Sequence, residues 1–71
     1  MNLNQTMKRM SKNIQLLRKS RKLTQEDMRD KGFNYRYFQK IEAGEVNITL
    51  DSLVKIARAL SCTISDIFKG C

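Results

Sequence analysis

Four polar side chains near the middle of the chain combine the chemistry needed to contact a nucleic acid. They fall on one side of a predicted helix and are Tyr35, Arg36, Gln39 and Lys40. Phe38 and Ile41 fall on the opposite side, as helical periodicity requires of a core-facing stripe. The polar side is aromatic, cationic and amide-bearing, and it contains no carboxylate. Such a face suits a negatively charged groove that displays hydrogen-bonding base edges.

Each of these side chains has its own possible role. Arg36 is the best candidate for reading a base, because a guanidinium can donate to guanine O6 and N7 together, for about 1–3 kcal/mol of discrimination; a contact to phosphate alone is the alternative. Tyr35 can stack against a thymine methyl group or donate to a phosphate. Lys40 lies about one turn beyond Arg36 and can reach a base or a phosphate. Gln39 lies at the rim of this face, and Tyr37 could either contact phosphate or pack beside the preceding helix.

Nothing in the chain forms a catalytic or metal-binding constellation. There is no His, no Gly-rich phosphate loop and no metal-ligand spacing. Asp27 and Asp30 lie one helical turn apart, where a solvated helix face explains them better than acid–base chemistry. We expect Cys62 and Cys71 to be free thiols. The sequence therefore predicts a protein that is not an enzyme and has no metal or cofactor.

The positive charge is concentrated at the start of the chain. The net charge is +7, and the first 22 residues carry all of this excess because they contain no acid. Such asymmetry suggests contact with a polyanion. Lys8, Arg9 and Lys12 could contact phosphates or form an arm along a nucleic-acid backbone, or they could simply be solvated.

Seventy-one residues suffice for one domain, which we place over residues 1–71. No apolar run approaches the ~20 residues needed to span a bilayer, and no secretory signal is recognisable. The basic first helix could lie on an anionic membrane, but its apolar side lacks Trp and Phe and is needed for the core. We therefore expect a cytoplasmic protein that makes no membrane contact.

Two short helices joined by a tight turn are predicted to position the candidate residues, over residues 24–43. Thr24 can cap the first of them, with Asp27 completing a capping box. Gly32 lies where the chain must turn, because Gly adopts positive φ without penalty. Asn34 can cap the second helix, which carries the polar face.

The remaining segments predict three more helices and no strand. Residues 1–6 are expected to be a loose lead-in, followed by a helix whose apolar stripe begins at Met7. Thr49 can cap a fourth helix, and Thr63 with Asp66 can cap a short fifth one. The expected core consists of Met10, Ile14, Leu17, Leu23, Met28, Phe38, Ile41, Leu53, Ile56, Leu60, Ile64 and Phe68.

Four segments together carry a specific family signal. They read I-Q-L-L-R-K-S-R-K-L-T-Q-E-D, N-Y-R-Y-F-Q-K-I-E-A-G, T-L-D-S-L-V-K-I-A-R-A-L and T-I-S-D-I-F. From about Ile14 to Phe68 the chain thus resembles the lambda-repressor-like, or Xre-type, helix-turn-helix domain. The resemblance implies an all-α, compact five-helix bundle with its third helix in the DNA major groove, and dimers that bind inverted-repeat operators.

The resemblance also implies roles for individual residues. Gln25 opens the second helix and would bond a phosphate, and Asn47 belongs to a loop that approaches phosphate. Arg18 and Glu42 match a structural salt bridge between the first and third helices. The groove-facing positions of the family correspond to Asn34, Tyr35, Arg36, Tyr37 and Lys40. The expected dimer contacts in the fifth helix are Ile64, Ile67 and Phe68.

The chain departs from the family pattern in its second helix. Arg29 replaces the usual Ala, and M-R-D-K-G is one residue shorter before the turn glycine than usual. We expect this helix to end early or the turn to be tighter, and either change would alter the tilt of the third helix.

Two functional hypotheses follow. The first is a homodimeric, sequence-specific regulator of transcription that binds double-stranded DNA without a small-molecule ligand. It would act in a bacterial or phage context, as do phage repressors and the controller proteins of restriction–modification systems that the chain resembles. The second is an antitoxin-like module that mainly holds a protein partner. A partner-binding face should be apolar at its centre, whereas the polar face of the third helix is cationic; the basic first segment keeps the second hypothesis open.

Overall fold

Five α-helices and no strand make up residues 2–71, the part of the chain that the computed structural model describes. The helices are α1 (Leu3–Ser20), α2 (Gln25–Asp30), α3 (Tyr35–Ala43), α4 (Leu50–Ala59) and α5 (Ile64–Ile67). The predicted all-α, five-helix fold is confirmed. None of these helices is long and apolar enough to cross a lipid bilayer.

The predicted helix starts are confirmed by their side-chain caps. Thr24 and Asp27 form a reciprocal capping box at α2, with bonds of 3.1 and 2.7 Å. The Asn34 side chain accepts the backbone N–H of Tyr37 at 2.9 Å and so caps α3. The remaining predicted caps are Thr49 at α4 and Thr63 at α5. These bonds satisfy amide groups that a helix start otherwise leaves without a partner.

The expected loose lead-in over residues 1–6 is wrong from residue 2 onward; Met1 lies outside the described residues. Asn2 caps α1, and its side chain accepts the backbone N–H of Gln5 at 2.8 Å. The Gln5 side chain accepts the backbone N–H of Asn2 in return, at 3.0 Å. This N-x-x-Q capping box makes α1 a helix of 18 residues.

The core lies where all five helices meet, and its fully buried large side chains are Ile14, Met28, Phe38, Ile41, Ile56, Leu60 and Ile67. Three buried apolar residues were absent from the predicted core, Phe33, Ala57 and Ile67. Phe68, which was predicted to belong to the core, is 38% exposed because it lies after the short α5. Phe33 lies in the turn, where its ring centroid is 5.5 Å from that of Phe38. The Lys55 ammonium lies 4.8 Å from the Phe33 ring centroid and donates to the Gly32 carbonyl at 2.7 Å. The turn is thereby held against α4.

The end of α2 explains why Phe33 is buried. The helix ends at Asp30, and Gly32 has a φ of 97°. The Phe33 amide donates to the Met28 carbonyl at 3.2 Å, and the Gly32 amide donates to the Arg29 carbonyl at 3.0 Å. This is a Schellman ending, which commonly brings an apolar side chain at the Phe33 position back onto the helix.

α1 contacts the carboxyl ends of three other helices through hydrogen bonds. Ser11 donates to the carbonyl of Ile41 in the last turn of α3, at 2.6 Å. Asn13 donates to the last carbonyl of α5 at 2.8 Å. Arg21 donates to the carbonyl that follows α4, also at 2.8 Å. The Ile41 carbonyl also accepts the Gly44 amide at 3.1 Å. Through these bonds to helix ends, α1 and its C-cap residue Arg21 fix the ends of α3, α4 and α5 relative to one another.

Both cysteines are free thiols, as expected. Cys71 is exposed, whereas Cys62 is half-buried and packs against the core. Its burial raises the pKa of the Cys62 thiol, which disfavours the reactive thiolate.

Candidate nucleic-acid interface

α3 has one buried side and one polar side, as its sequence predicts. Phe38 and Ile41 are fully buried. Arg36, Gln39 and Lys40 are exposed on the other side. The structure therefore brings three of the predicted contact residues together on one accessible surface.

Tyr35 is held by the neighbouring helix. Its hydroxyl donates to the carboxylate of Glu26 in α2 at 3.3 Å, and the residue is half-buried. A phosphate would have to displace Glu26 to accept this hydroxyl. The face of the ring is therefore the part of Tyr35 better suited to contact a base methyl group.

Asn34 and Tyr37 have structural partners within the domain. The Asn34 side-chain oxygen is used to cap α3, so only its amide group is left to donate to a ligand. Tyr37 is half-buried against the core, and its hydroxyl lies 3.4 Å from the hydroxyl of Ser52 in α4. Of its two predicted roles, this geometry favours packing over phosphate contact.

A buried ion pair lies beneath the polar side of α3. Arg18 Nε lies 2.6 Å from Glu42 Oε2, and the two side chains are only 9% and 3% exposed. A second guanidinium nitrogen donates to Glu42 Oε1 at 3.1 Å, which makes the pair bidentate. Arg18 also donates to the carbonyl of Leu23 at 2.6 Å, just before α2. The pair thus connects α1, α3 and the start of α2.

Gln25 is hydrogen-bonded to this ion pair, a contact that was not predicted from the sequence. Its Nε2 donates to Glu42 Oε1 at 3.0 Å. A carboxylate can only accept, so this bond fixes which way the Gln25 amide points. Gln39 Nε2 lies 3.5 Å from the Gln25 oxygen, a long hydrogen bond. The second hydrogen of Gln25 Nε2 remains available to a phosphate.

The carboxylate of Asp27 adds a stabilised negative charge to the first turn of α2. The backbone N–H and then the hydroxyl of Thr24 bond this carboxylate and hold the pKa of Asp27 below its ordinary value. Asp27 is therefore a capping group in this structure, as its position predicted.

This arrangement of helices and polar residues agrees with a comparison to known families. The family model of the Cro/C1-type HTH DNA-binding domain matches residues 2–69. The chain belongs to this family. Comparison with curated proteins and with solved structures gave no significant match. The predicted family is thus confirmed, and with it a DNA-binding domain of a typically non-enzymatic kind.

In this Cro/C1-type domain, the loop after α3 leads from the polar side to an apolar groove. α3 ends at Gly44, whose φ is 74°. Asn47, the predicted phosphate-contacting residue of the loop, is exposed. It borders a groove of about 430 Å³ whose other lining residues include Leu3, Met7 and Phe68.

The predicted dimer contacts of the Cro/C1-type domain need one correction. Ile67 is fully buried in the core of its own chain, so its side chain offers no surface to a second copy. Ile64 is half-buried, and Phe68 is 38% exposed in the groove. Leu3, which was not among the predicted dimer contacts, is 68% exposed and lines the same groove as Phe68. Because residues 1–6 were predicted to be a loose lead-in, the sequence did not indicate that Leu3 of α1 lines this groove.

Proposed function

We propose that this Cro/C1-type domain is a sequence-specific regulator of transcription that binds an inverted-repeat operator as a homodimer, with α3 in the major groove. The observation that carries the proposal is the exposed polar side of α3, formed by Arg36, Gln39 and Lys40. Its opposite side is fixed by buried apolar residues and by the ion pair of Glu42. A recognition surface held in this way loses little conformational freedom when it binds.

The proposed contacts divide into base reading and phosphate binding. Arg36 donates to guanine, and the ring of Tyr35 contacts a thymine methyl group. Lys40 binds a base or a phosphate one turn further along α3. The amide of Gln39 lies at the edge of the same surface. The remaining polar groups are proposed to bind phosphates and belong to Gln25, Asn34 and Asn47.

The proposed dimer surface lies around the end of α5. Ile64 and Phe68 remain from the predicted set, and Leu3 and Met7 extend it, because they line the same apolar groove as Phe68. Exposed apolar residues gathered in one groove are typical of interaction sites. A protein partner in the manner of an antitoxin is the second candidate for this groove, since the polar side of α3 has no apolar centre.

Replacing Arg36 by Ala tests the base-reading assignment. We expect the variant to lose discrimination at one base pair of each half-site by about 1–3 kcal/mol, because the bidentate contact to guanine is gone. Binding to operators with each single base change, measured by fluorescence anisotropy, gives this value directly. Arg58→Ala is the matched control, because Arg58 is an exposed arginine on α4. Equal effects of the two substitutions on every base pair would show that Arg36 does not read a base.

A further inference from the structure

The first helix lies directly against the end of the proposed recognition helix. A Cβ atom placed on Gly44 would lie 3.6 Å from the Ser11 hydroxyl and 3.8 Å from the Lys8 Cα. The Ser11 hydroxyl also donates to the Ile41 carbonyl at 2.6 Å. Lys8 is therefore next to the turn that closes α3, where the loop leading to Asn47 begins.

Three lysines follow one another along this side of α1. At about 100° per residue, positions 8, 12 and 19 lie within about 40° of one another around the helix. They are next to Ser11 and Arg18, which bond to α3. We call Lys8, Lys12 and Lys19 the lysine row; all three are exposed.

The three arginines within the first 22 residues are placed differently from the lysines of the row. Arg18 is buried in the ion pair with Glu42, and Arg21 bonds the carbonyls at the end of α4. Arg9 lies next to the segment after α5, where its guanidinium would be 3.0 Å from a Cβ atom on Gly70. Two of these arginines thus bond within the domain and the third lies near α5, whereas the lysine row lies next to the residues that bond α3.

The lysine row forms no ion pair with an acidic residue in the part of the chain that the structure describes. Within residues 2–71, ion pairs form between Arg18 and Glu42 and between Arg29 and Asp30, and none includes a lysine of the row. α1 itself contains no Asp or Glu. Three positive charges on one side of α1 therefore face solvent, and the first of them, Lys8, lies beside the carboxyl end of α3.

We propose that the lysine row binds backbone phosphates of duplex DNA outside the base pairs that α3 reads. This inference rests on the proposed function, because it takes α3 to lie in the major groove. The sugar–phosphate strand that borders the groove then passes the end of α3, next to Lys8. Lys12 and Lys19 continue the row along the strand. α1 becomes a second DNA-binding element that adds affinity without reading sequence.

The test compares the salt dependence of binding for two charge-matched double variants. In the row variant, Lys8→Gln is combined with Lys12→Gln; in the control, Lys31→Gln is combined with Arg58→Gln, two exposed charges near α4. Each variant loses two positive charges, and circular dichroism checks that both keep the helical fold. Affinity for a selected operator and for a scrambled duplex is measured by fluorescence anisotropy across a salt series.

Loss of two phosphate contacts from each protomer should make the slope of log K against log salt shallower by about 1.8 per bound protomer, and so by about 3.6 for a bound homodimer, because each contact contributes about 0.9. We expect this change in the row variant for both duplexes, with their affinity ratio unchanged. The control should change the slope by less than about 0.5. Equal slopes in the two variants would overturn the inference.

The same measurements test the proposed function separately from the lysine row. If the wild-type protein binds the scrambled duplex as tightly as the operator, sequence-specific regulation is wrong, while the comparison of slopes still decides the role of the lysine row. If the slopes agree but the operator is preferred, the regulator stands and only the lysine row is rejected. Absence of any DNA binding by the wild-type protein would overturn both.

Discussion

Glu42 is the residue that connects the interior of the domain to its polar surface. Its carboxylate accepts two bonds from Arg18 and one from Gln25, and its side chain is 3% exposed. A buried carboxylate is tolerated only when it is paired and hydrogen-bonded in this way. Removal of Arg18 would therefore leave the buried charge of Glu42 without compensation beneath α3.

Replacing Arg18 by Met should therefore destabilise the fold by about 3–5 kcal/mol, since Glu42 would remain buried without its cation. A domain of this size has a total stability of roughly 4–10 kcal/mol, so this loss would remove about a third to all of it. Urea unfolding followed by circular dichroism measures the loss.

Two further variants separate the ion pair from general effects of substitution. Arg58→Met changes an exposed arginine and should alter stability by less than about 0.5 kcal/mol. Arg18→Met combined with Glu42→Leu should recover part of the lost stability, because neither charge is then left alone. If the single Arg18 variant lost less than about 1 kcal/mol, the buried pair would not have the role assigned here.

At the residue scale, the sequence best predicted properties that depend on a single helix, such as which of its side chains are buried. Periodicity alone separated Arg36 and Lys40 from Phe38 and Ile41 in α3. It did not give the bond between Gln25 and Glu42, because residues on different helices meet only through tertiary packing. The family resemblance placed Ile67 at a surface, and periodicity could not correct this, since a helix as short as α5 has too few residues to reveal which side is buried.

At the scale of elements, four helices end with the same pattern of backbone bonds. After α1, α2, α3 and α4, a backbone amide donates to the carbonyl five residues earlier, across the last turn of the helix. The residue that turns the chain has positive φ in each case, and in α2 and α3 it is Gly. In α1 and α4 it is Lys22 with a φ of 59° and Ser61 with a φ of 52°. These two residues carry a strain that Gly would not.

Ser61→Gly should therefore stabilise the domain by about 0.5–1 kcal/mol, because relief of the left-handed strain outweighs the added freedom of the unfolded chain. The free energy of unfolding in urea measures this gain. Ser65→Gly supplies a control of opposite sign, because Ser65 lies within α5 and Gly in a helix is less favourable than Ser by roughly 0.3–0.5 kcal/mol. A loss of stability in both variants would contradict the assignment of strain to Ser61.

The sequence predicted the starts of helices better than their ends. Thr24, Thr49 and Thr63 were recognisable caps because a side chain marks each start directly. The box formed by Asn2 and Gln5 was overlooked because no apolar stripe had yet begun there. Phe33 was missed for a related reason, since its burial follows from the backbone bonds that end α2 and not from a helical stripe.

At the scale of the whole molecule, α1 organises the domain. It bonds to the ends of α3, α4 and α5, contributes Arg18 to the buried pair and carries much of the excess charge. Its first turn also places Leu3 beside Phe68 in the apolar groove. The same helix thus connects the proposed DNA surface with the proposed dimer surface, which the family resemblance alone did not indicate.

The measurement that tests the central claim most directly is a selection of random duplexes bound by the purified protein, sequenced at two salt concentrations. Phe68→Asp is selected in parallel, because a charge in the groove should prevent dimerisation; sedimentation checks its oligomeric state. The account predicts that the wild-type protein enriches an inverted repeat with half-sites about one helical turn apart, and that the variant enriches single half-sites more weakly. Salt-sensitive binding of the wild-type protein with no enriched sequence at either concentration would contradict it.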